Sequence, residues 1–260
     1  MTTSAAVGFR ASDMATGGCK GFNCPAQGQK STVSSGFATG ARPPVDLPGG
    51  TALSSSILRA TWAQKMSTPD WLQRVRNGEP FTVPDAEFLQ AVFAAHPKIA
   101  TYTSDRITSL EAMQAALREL FGRVGEGVVV APPLFVDVGF NIEIGDGTFI
   151  NTNVTLLDTY PIRIGCRVLI GPNCAFYPVG HPVRAADRFI RAPDGSATAQ
   201  ITSGAPITIE DEVFIGGSTI VLPGVTIGAR TTIGAGSVVT KSIPSDVFAA
   251  GNPCKVIRPL

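Results

Sequence analysis

Between Ile209 and Val239 an apolar residue returns every six positions, at Ile209, Ile215, Val221, Ile227, Ile233 and Val239. The fourth residue after each of the first five is Val213, Thr219, Val225, Thr231 or Ser237, all small or β-branched. This period is neither the helical one of about 3.6 nor the isolated strand's of about 2, so the stretch predicts a solenoid. Each hexad is one short strand and one turn, and three hexads make one coil of eighteen residues. Val, Ile and Thr suit stacked parallel strands, while Gly216, Gly217, Gly228, Gly234 and Gly236 fall where the backbone must turn sharply. One coil cannot bury its own apolar stripe, so stacking supplies the core. A sandwich of short strands would instead show turn signals about every eight to twelve residues.

The same phase is read upstream. After Pro132-Pro133 it predicts Val138, Ile144, Ile150 and Leu156 as inward anchors. Eight residues then separate Leu156 from Ile164, so two residues around Tyr160 are expected to bulge outward. Ile164, Ile170 and Phe176 resume the period, which stops from Tyr177 to Ala205 and returns at Ile209. An insertion of that length in a solenoid maps to a loop on one face, often the binding face. The fold class expected is mainly β, a parallel β-helix over 126–260 with a loop insertion at 177–205 and a C-terminal tail.

Helical spacing precedes the repeat. Thr68-Pro69-Asp70 predicts a helix start, with Thr68 as cap and an end by Gly78. Asp85 reads as the cap of a second helix carrying Phe88, Leu89, Val92 and Phe93, closed by Pro97. Thr108 and Glu111 form a capping-box pattern before Leu110, Met113, Leu117, Leu120 and Phe121, with Gly122 as the stop. These helices are expected to form a small cap over 61–125 that covers the solenoid's end. Residues 1–60, rich in Gly, Ser, Thr, Ala and Pro, read as a disordered leader.

Charge and composition narrow the partners. A formal net charge of +1 supplies no electrostatic reason to expect nucleic acid or an anionic membrane. No apolar run approaches the length of about eighteen residues that a membrane span needs. Met1 to Lys20 lacks a secretory apolar core, and Asp13 with few basic residues counts against a mitochondrial transit peptide, so a cytoplasmic location is expected. The five cysteines are odd in number and form no CxxC pair, which supports neither a disulfide framework nor zinc. Cys166 and Cys174 read as packing residues. A metal site of the three-histidine kind is not expected either, because the chain has only His96 and His181.

The insertion carries His181-Pro182 and then Arg184, Arg188 and Arg191. A histidine titrating near neutrality can take a proton from an attacking hydroxyl or amine, worth about 10² to 10⁴ in rate. Around it stand Asn141-Ile142-Glu143-Ile144-Gly145, Phe149-Ile150-Asn151-Thr152-Asn153, Gly180-His181-Pro182 and Phe214-Ile215-Gly216-Gly217. Farther on come Pro223-Gly224-Val225-Thr226-Ile227-Gly228, Ile233 to Lys241 and Gly251-Asn252-Pro253. In order and spacing, from about Thr68 onward, these resemble the hexapeptide-repeat acyltransferases, and within them the maltose and galactoside O-acetyltransferase group.

The resemblance implies a left-handed parallel β-helix, assembled as a homotrimer, that moves acetyl from acetyl-coenzyme A to a hydroxyl of a small-molecule acceptor such as a sugar or related polyol. The active site would lie between neighbouring subunits. His181 matches the family's general base, Asn151 the residue that orients the acceptor or the imidazole, and Asp137 an acceptor-binding position that a turn aspartate would also explain. Asp85 matches loosely an acidic residue of the cap that reaches the sugar, and helix capping explains it equally well. For the cofactor the resemblance points to backbone groups near Gly217 and Ala235, to Thr240 and Lys241, and to Lys255 and Arg258 near the phosphates. No metal is implied. Two departures bear on the acceptor: Phe214 stands where the family commonly has Trp, and Gly217 where some members carry a hydroxyl. An amine or xenobiotic acceptor, with the insertion arginines deciding, and a non-catalytic β-helix assembly module remain the alternatives.

Overall fold

In the computed structural model of the chain, residues 68–103 and 107–260 are described. The expected leader, and residues 61–67 of the expected cap, lie outside them. Three parallel sheets enclose one apolar column. The first face stacks Arg123–Val124, Ile142–Ile144, Ile162–Ile164, Ile207–Ile209 and Thr226–Ile227. The second stacks Val129–Val130, Phe149–Ile150, Leu169–Ile170, Phe214–Ile215, Thr232–Ile233 and Val247–Ala250, with Lys255–Pro259 turning back antiparallel on the last. The third stacks Leu134–Val136, Val154–Leu156, Ala175–Phe176, Ile220–Val221 and Val238–Val239. The chain visits the three faces in turn, which makes a parallel β-helix of hexapeptide repeats.

The anchors of the opening pattern are inward and in register: Ile209 over Ile227, Ile215 over Ile233, Val221 over Val239. The polar fourth positions are also fully buried, and each hydroxyl finds an oxygen: Thr219 Oγ1 donates to the Gly216 carbonyl at 2.7 Å and Thr231 Oγ1 to that of Pro244 at 2.7 Å. Such bonds let a β-branched hydroxyl residue fill a position where an unpaired polar group would be costly.

Upstream the structure corrects the expected phase. Coils begin before Pro132-Pro133, since Arg123–Val124 already pairs with Glu143–Ile144. Leu156 lies over Val136, not Val138. Ile144 pairs with Ile164, twenty residues on, whereas Ile209 pairs with Ile227, eighteen on, so each early coil carries two extra residues at its third corner. Those residues do not expel Tyr160. Its ring is buried in a second cluster with Trp71, Leu72, Val75, Phe81 and Val138, and its hydroxyl donates to the Glu79 carbonyl at 2.7 Å.

The cap has three helices, α1 (Asp70–Arg76), α2 (Ala86–Thr103) and α3 (Leu110–Leu120). Pro69, not Thr68, stands at the α1 N-cap. Asp85 caps α2, its Oδ1 accepting the Phe88 N–H at 2.8 Å. Pro97 does not close that helix. The carbonyl one turn earlier belongs to Phe93, a 64% exposed residue on the solvent side where water can replace the missing donor. Continuing the helix brings Tyr102 into the column, where its hydroxyl donates to the Val130 carbonyl. The α3 cap falls one residue after the expected Thr108, with Ser109 Oγ accepting the Ala112 N–H at 3.1 Å. Leu117, Leu120 and Phe121 then join Val128 and Val130 in the main core and close the end of the solenoid.

The insertion is a hairpin. Phe189–Arg191 pairs antiparallel with Ala197–Gly204, and the latter also pairs with Phe81–Val83 of the cap and with Val179–Gly180. Cap and insertion thus share one small sheet, and His181 leaves it directly after Gly180.

Candidate active site

His181 is solvent-exposed, and its Nδ1 lies 2.9 Å from the Ile201 carbonyl oxygen. A carbonyl only accepts, so Nδ1 carries the proton in this contact, and the neutral ring presents Nε2 as an unprotonated acceptor. The Ile201 N–H donates in turn to the Arg188 carbonyl at 2.8 Å. The Arg188 guanidinium donates from Nε to the Pro182 carbonyl at 2.9 Å and from Nη2 to that of Val183 at 2.7 Å. Arg184 faces Asp187 at 3.8 Å, and Arg191 donates to the Gly195 carbonyl at 2.9 Å. The three insertion arginines are therefore engaged with the hairpin's own groups.

Asn151 directly follows the strand Phe149–Ile150. Its Oδ1 accepts the Thr152 N–H at 2.7 Å. Asp137 is half-buried at a third corner and its Oδ2 accepts from Thr159 Oγ1 at 2.6 Å; burial pushes its carboxyl above the usual value. Beneath it Asp158 is fully buried, accepting the N–H groups of Asp137 and Val138 at 3.0 Å each and that of Asn141 at 3.2 Å. Burial lifts the Asp158 carboxyl to about 6; the charge of Asp137 adds to the rise, while the backbone donors oppose it. Asp158 and Thr159 escaped the sequence reading, although an acid set among the apolar anchors of a coil, Leu156-Leu157-Asp158, is a signal that could have found the first.

Asp85, besides capping α2, lines a cavity of about 320 Å³ with Asp70, Trp71, Arg74, Thr82 and Ile201. Ile201 thus borders this cavity and also supplies the carbonyl that holds His181.

The second corner of the coils is open. Gly171, Gly216 and Gly234 stack in register, which puts Pro172, Gly217 and Ala235 at one step of three successive coils. Glycine is required at the first of these steps, because a Cβ on Gly216 would lie 2.5 Å from the Ala235 nitrogen. Among the described residues the N–H groups of Gly217 and Ala235 have no hydrogen-bond partner. The edge continues upward: the Gly236 N–H donates to the Gly217 carbonyl at 2.9 Å, and Ala250, beside Gly234, pairs across with Lys255. Lys241 and Lys255 are exposed and form no ion pair among the described residues. Arg258 lies 5.9 Å over the Phe248 ring. Thr240 is exposed at the next corner. Such an edge can hold a long ligand with carbonyl groups along its length and negative charge at one end.

Within one chain the expected residues do not form one hydrogen-bonded set. His181 bonds to Ile201, Asn151 to Thr152, Asp137 to Thr159 and Asp85 to Phe88. Among the described residues no cluster of three or more His, Cys, Asp or Glu side chains could hold a metal ion, and no helix is long and apolar enough to cross a membrane.

Comparison with known proteins agrees with this architecture. Residues 206–241 match the family described as bacterial transferase hexapeptide (six repeats). The chain is 37% identical over 186 residues to galactoside O-acetyltransferase of Escherichia coli (strain K12), covering 72% of this chain and 87% of that one. A maltose O-acetyltransferase from Clostridium difficile 630 superposes with a TM-score of 0.67 at 34% identity, over 75% of this chain and 99% of that one. A hexapeptide-repeat acetyltransferase of Vibrio cholerae O1 biovar eltor, complexed with acetyl coenzyme A, gives 0.64 at 36% identity, over 74% and 99%. The chain belongs to the hexapeptide-repeat acyltransferases, in their galactoside and maltose O-acetyltransferase group.

Proposed function

We propose that the chain transfers an acetyl group from acetyl-coenzyme A to a hydroxyl of a sugar or related small polyol, with His181 as general base. The observation that carries this is the Nδ1 contact with the Ile201 carbonyl, which leaves Nε2 as the proton acceptor. Acetyl-coenzyme A supplies an activated acetyl group. Nε2 takes the acceptor's hydroxyl proton as the oxygen attacks the thioester carbonyl, and later returns it to the departing thiolate. The open N–H groups of Gly217 and Ala235 are suited to receive carbonyl oxygens of the cofactor or the developing oxyanion, and a preset donor of this kind favours the charged state. Thr240, Lys241, Lys255 and Arg258 serve the phosphate end. Asn151, Asp137 and Asp85 serve the acceptor, and the polar cavity beside Ile201 supports a polyhydroxylated ligand.

A homotrimer belongs to the same reading. Outward positions of the second face are Val129, Phe149, Leu169, Phe214, Thr232 and Phe248, in register from coil to coil. Phe149, Leu169 and Phe214 are 37%, 48% and 46% exposed in the single chain. The first face instead presents Arg123, Glu143, Arg163, Thr208 and Thr226. An apolar outer stripe along the second face fits burial against another copy. It also fits a site completed between subunits, given that His181 and Asn151 are not joined within one chain.

The test is a panel of sugars, polyols and amines assayed with acetyl-coenzyme A by thiol release. Turnover with hydroxyl acceptors is expected. Turnover with amines alone would overturn the acceptor assignment, and failure to bind acetyl-coenzyme A by calorimetry would overturn catalysis itself.

A further inference from the structure

We infer that Arg188 is a positioning residue that locks the orientation and tautomer of His181. The inference rests on the proposed role of His181 as base. The segment after the histidine has little packing to hold it: Val183 is 91% exposed, and Arg184 and Ala185 are exposed as well. What holds it is the Arg188 fork, with Nε on the Pro182 carbonyl at 2.9 Å and Nη2 on that of Val183 at 2.7 Å. The planar guanidinium spans two consecutive carbonyls with two directed donors, which a lysine ammonium on a flexible stem cannot do with the same geometry.

The main chain of Arg188 fixes the other side of the ring. Its carbonyl accepts the Ile201 N–H at 2.8 Å, and the Ile201 carbonyl accepts Nδ1–H of His181 at 2.9 Å. Ile201 therefore bonds through its N–H to Arg188 and through its C=O to the imidazole. The circuit runs from His181 through Ile201 to Arg188, and from the Arg188 side chain back to the two residues that follow His181. One residue thus supports both the partner of the ring and the backbone that carries it. Arg191, on the same hairpin and of the same charge, donates instead to the Gly195 carbonyl at the hairpin's turn and takes no part in the circuit.

The experiment combines kinetics with nitrogen-15 NMR of the imidazoles in the full chain. With two histidines in the sequence, His181→Ala assigns the signals. Arg188→Ala is expected to lower kcat by about 10- to 100-fold, the scale of a misplaced catalytic group, with KM for acetyl-coenzyme A within about twofold. Its His181 signals should move from a fixed Nδ1–H form to an average of the two tautomers. Added methylguanidinium should restore part of kcat, Arg188→Lys should recover little of it, and Arg191→Ala should match the parent. If Arg188→Ala fails to fold, Arg188→Lys carries the same two readouts. A ring that keeps its Nδ1–H form in the folded variants, or an unchanged kcat in Arg188→Ala with His181→Ala inactive, overturns the inference. A loosened ring in Arg188→Ala together with full turnover in His181→Ala overturns the base assignment while upholding the clamp.

Discussion

Two corners of the solenoid share one backbone turn and differ in what meets its N–H groups. In both, the third residue after the inward anchor adopts a left-handed conformation: Arg167, Glu212 and Arg230 at the first corner, Asn173, Ser218 and Gly236 at the second. At the first, the N–H groups one residue earlier are closed by carboxylates on three of the coils, while those of Asp146 and Asp211 have no acceptor among the described residues. Glu126 N–H donates to Asp146 at 2.9 Å, Cys166 N–H to Asp211 at 2.8 Å and Ala229 N–H to Glu210 at 2.9 Å. At the second, Gly217 and Ala235 hold the corresponding step with no acceptor beside them among the described residues. A closed corner is finished structure, and its negative charge repels a phosphate-bearing ligand. An open corner with cations one coil away has donors and charge to offer a ligand, as the proposed cofactor edge requires. The third corner of the early coils is closed most completely, by Asp158.

Breaking the closed corners should cost stability, with the largest effect at Asp158. Asp158→Ala leaves backbone donors of Asp137, Val138 and Asn141 without their acceptor, and about 3 kcal/mol of stability should be lost in urea unfolding. The pH dependence follows from the direction of the shift. The folded carboxyl stands at about 6 against an ordinary 3.8, so the unfolded chain ionises first as pH rises between those values. This group's contribution to stability is fully present below about pH 4, declines as pH rises to 6 and is flat above. Asp158→Asn, measured by urea midpoints from pH 4 to 7, should lack that part of the decline.

A smaller loss is expected at the first corner. Asp211→Ala removes a charged acceptor from the Cys166 N–H and should cost about 2 kcal/mol while leaving KM for acetyl-coenzyme A unchanged. The reverse pattern marks the open corner. Ala235→Pro deletes one N–H at a step where Pro172 stands naturally two coils earlier, so the fold should tolerate it. KM for acetyl-coenzyme A should rise by about tenfold, the worth of one hydrogen bond of about 1.4 kcal/mol. A rise in KM with Asp211→Ala, or none with Ala235→Pro, would remove the functional meaning of the difference between corners.

The regular coils were readable because packing and sequence share a period there: from Ile209 to Val239 each anchor sits over the anchor one coil earlier. The early coils were misread by two residues because Val136 and Val138 are both apolar, and only the pairing with Leu156 separates them. Pro97 looked like a helix end because its rule is local, whereas the burial of Tyr102 that draws α2 onward is tertiary. His181 and Asn151 were named as candidates through resemblance alone. Arg188, Ile201 and Asp158 were not legible, because their roles depend on which backbone carbonyls or N–H groups face them. Those partners come from register: Ile201 lies twenty residues from His181, and Asp158 reaches back seventeen to twenty-one residues.

The central claim is that the chemistry resides where the six-residue rule fails, at the hairpin bearing His181, while the coils hold the edge for the cofactor. Steady-state turnover of His181→Ala with acetyl-coenzyme A and a hydroxyl acceptor tests it most directly. The account predicts a loss of at least about a hundredfold in kcat, the scale of a missing general base, with the assembly intact by light scattering. Near-normal turnover in a properly folded His181→Ala protein would contradict it.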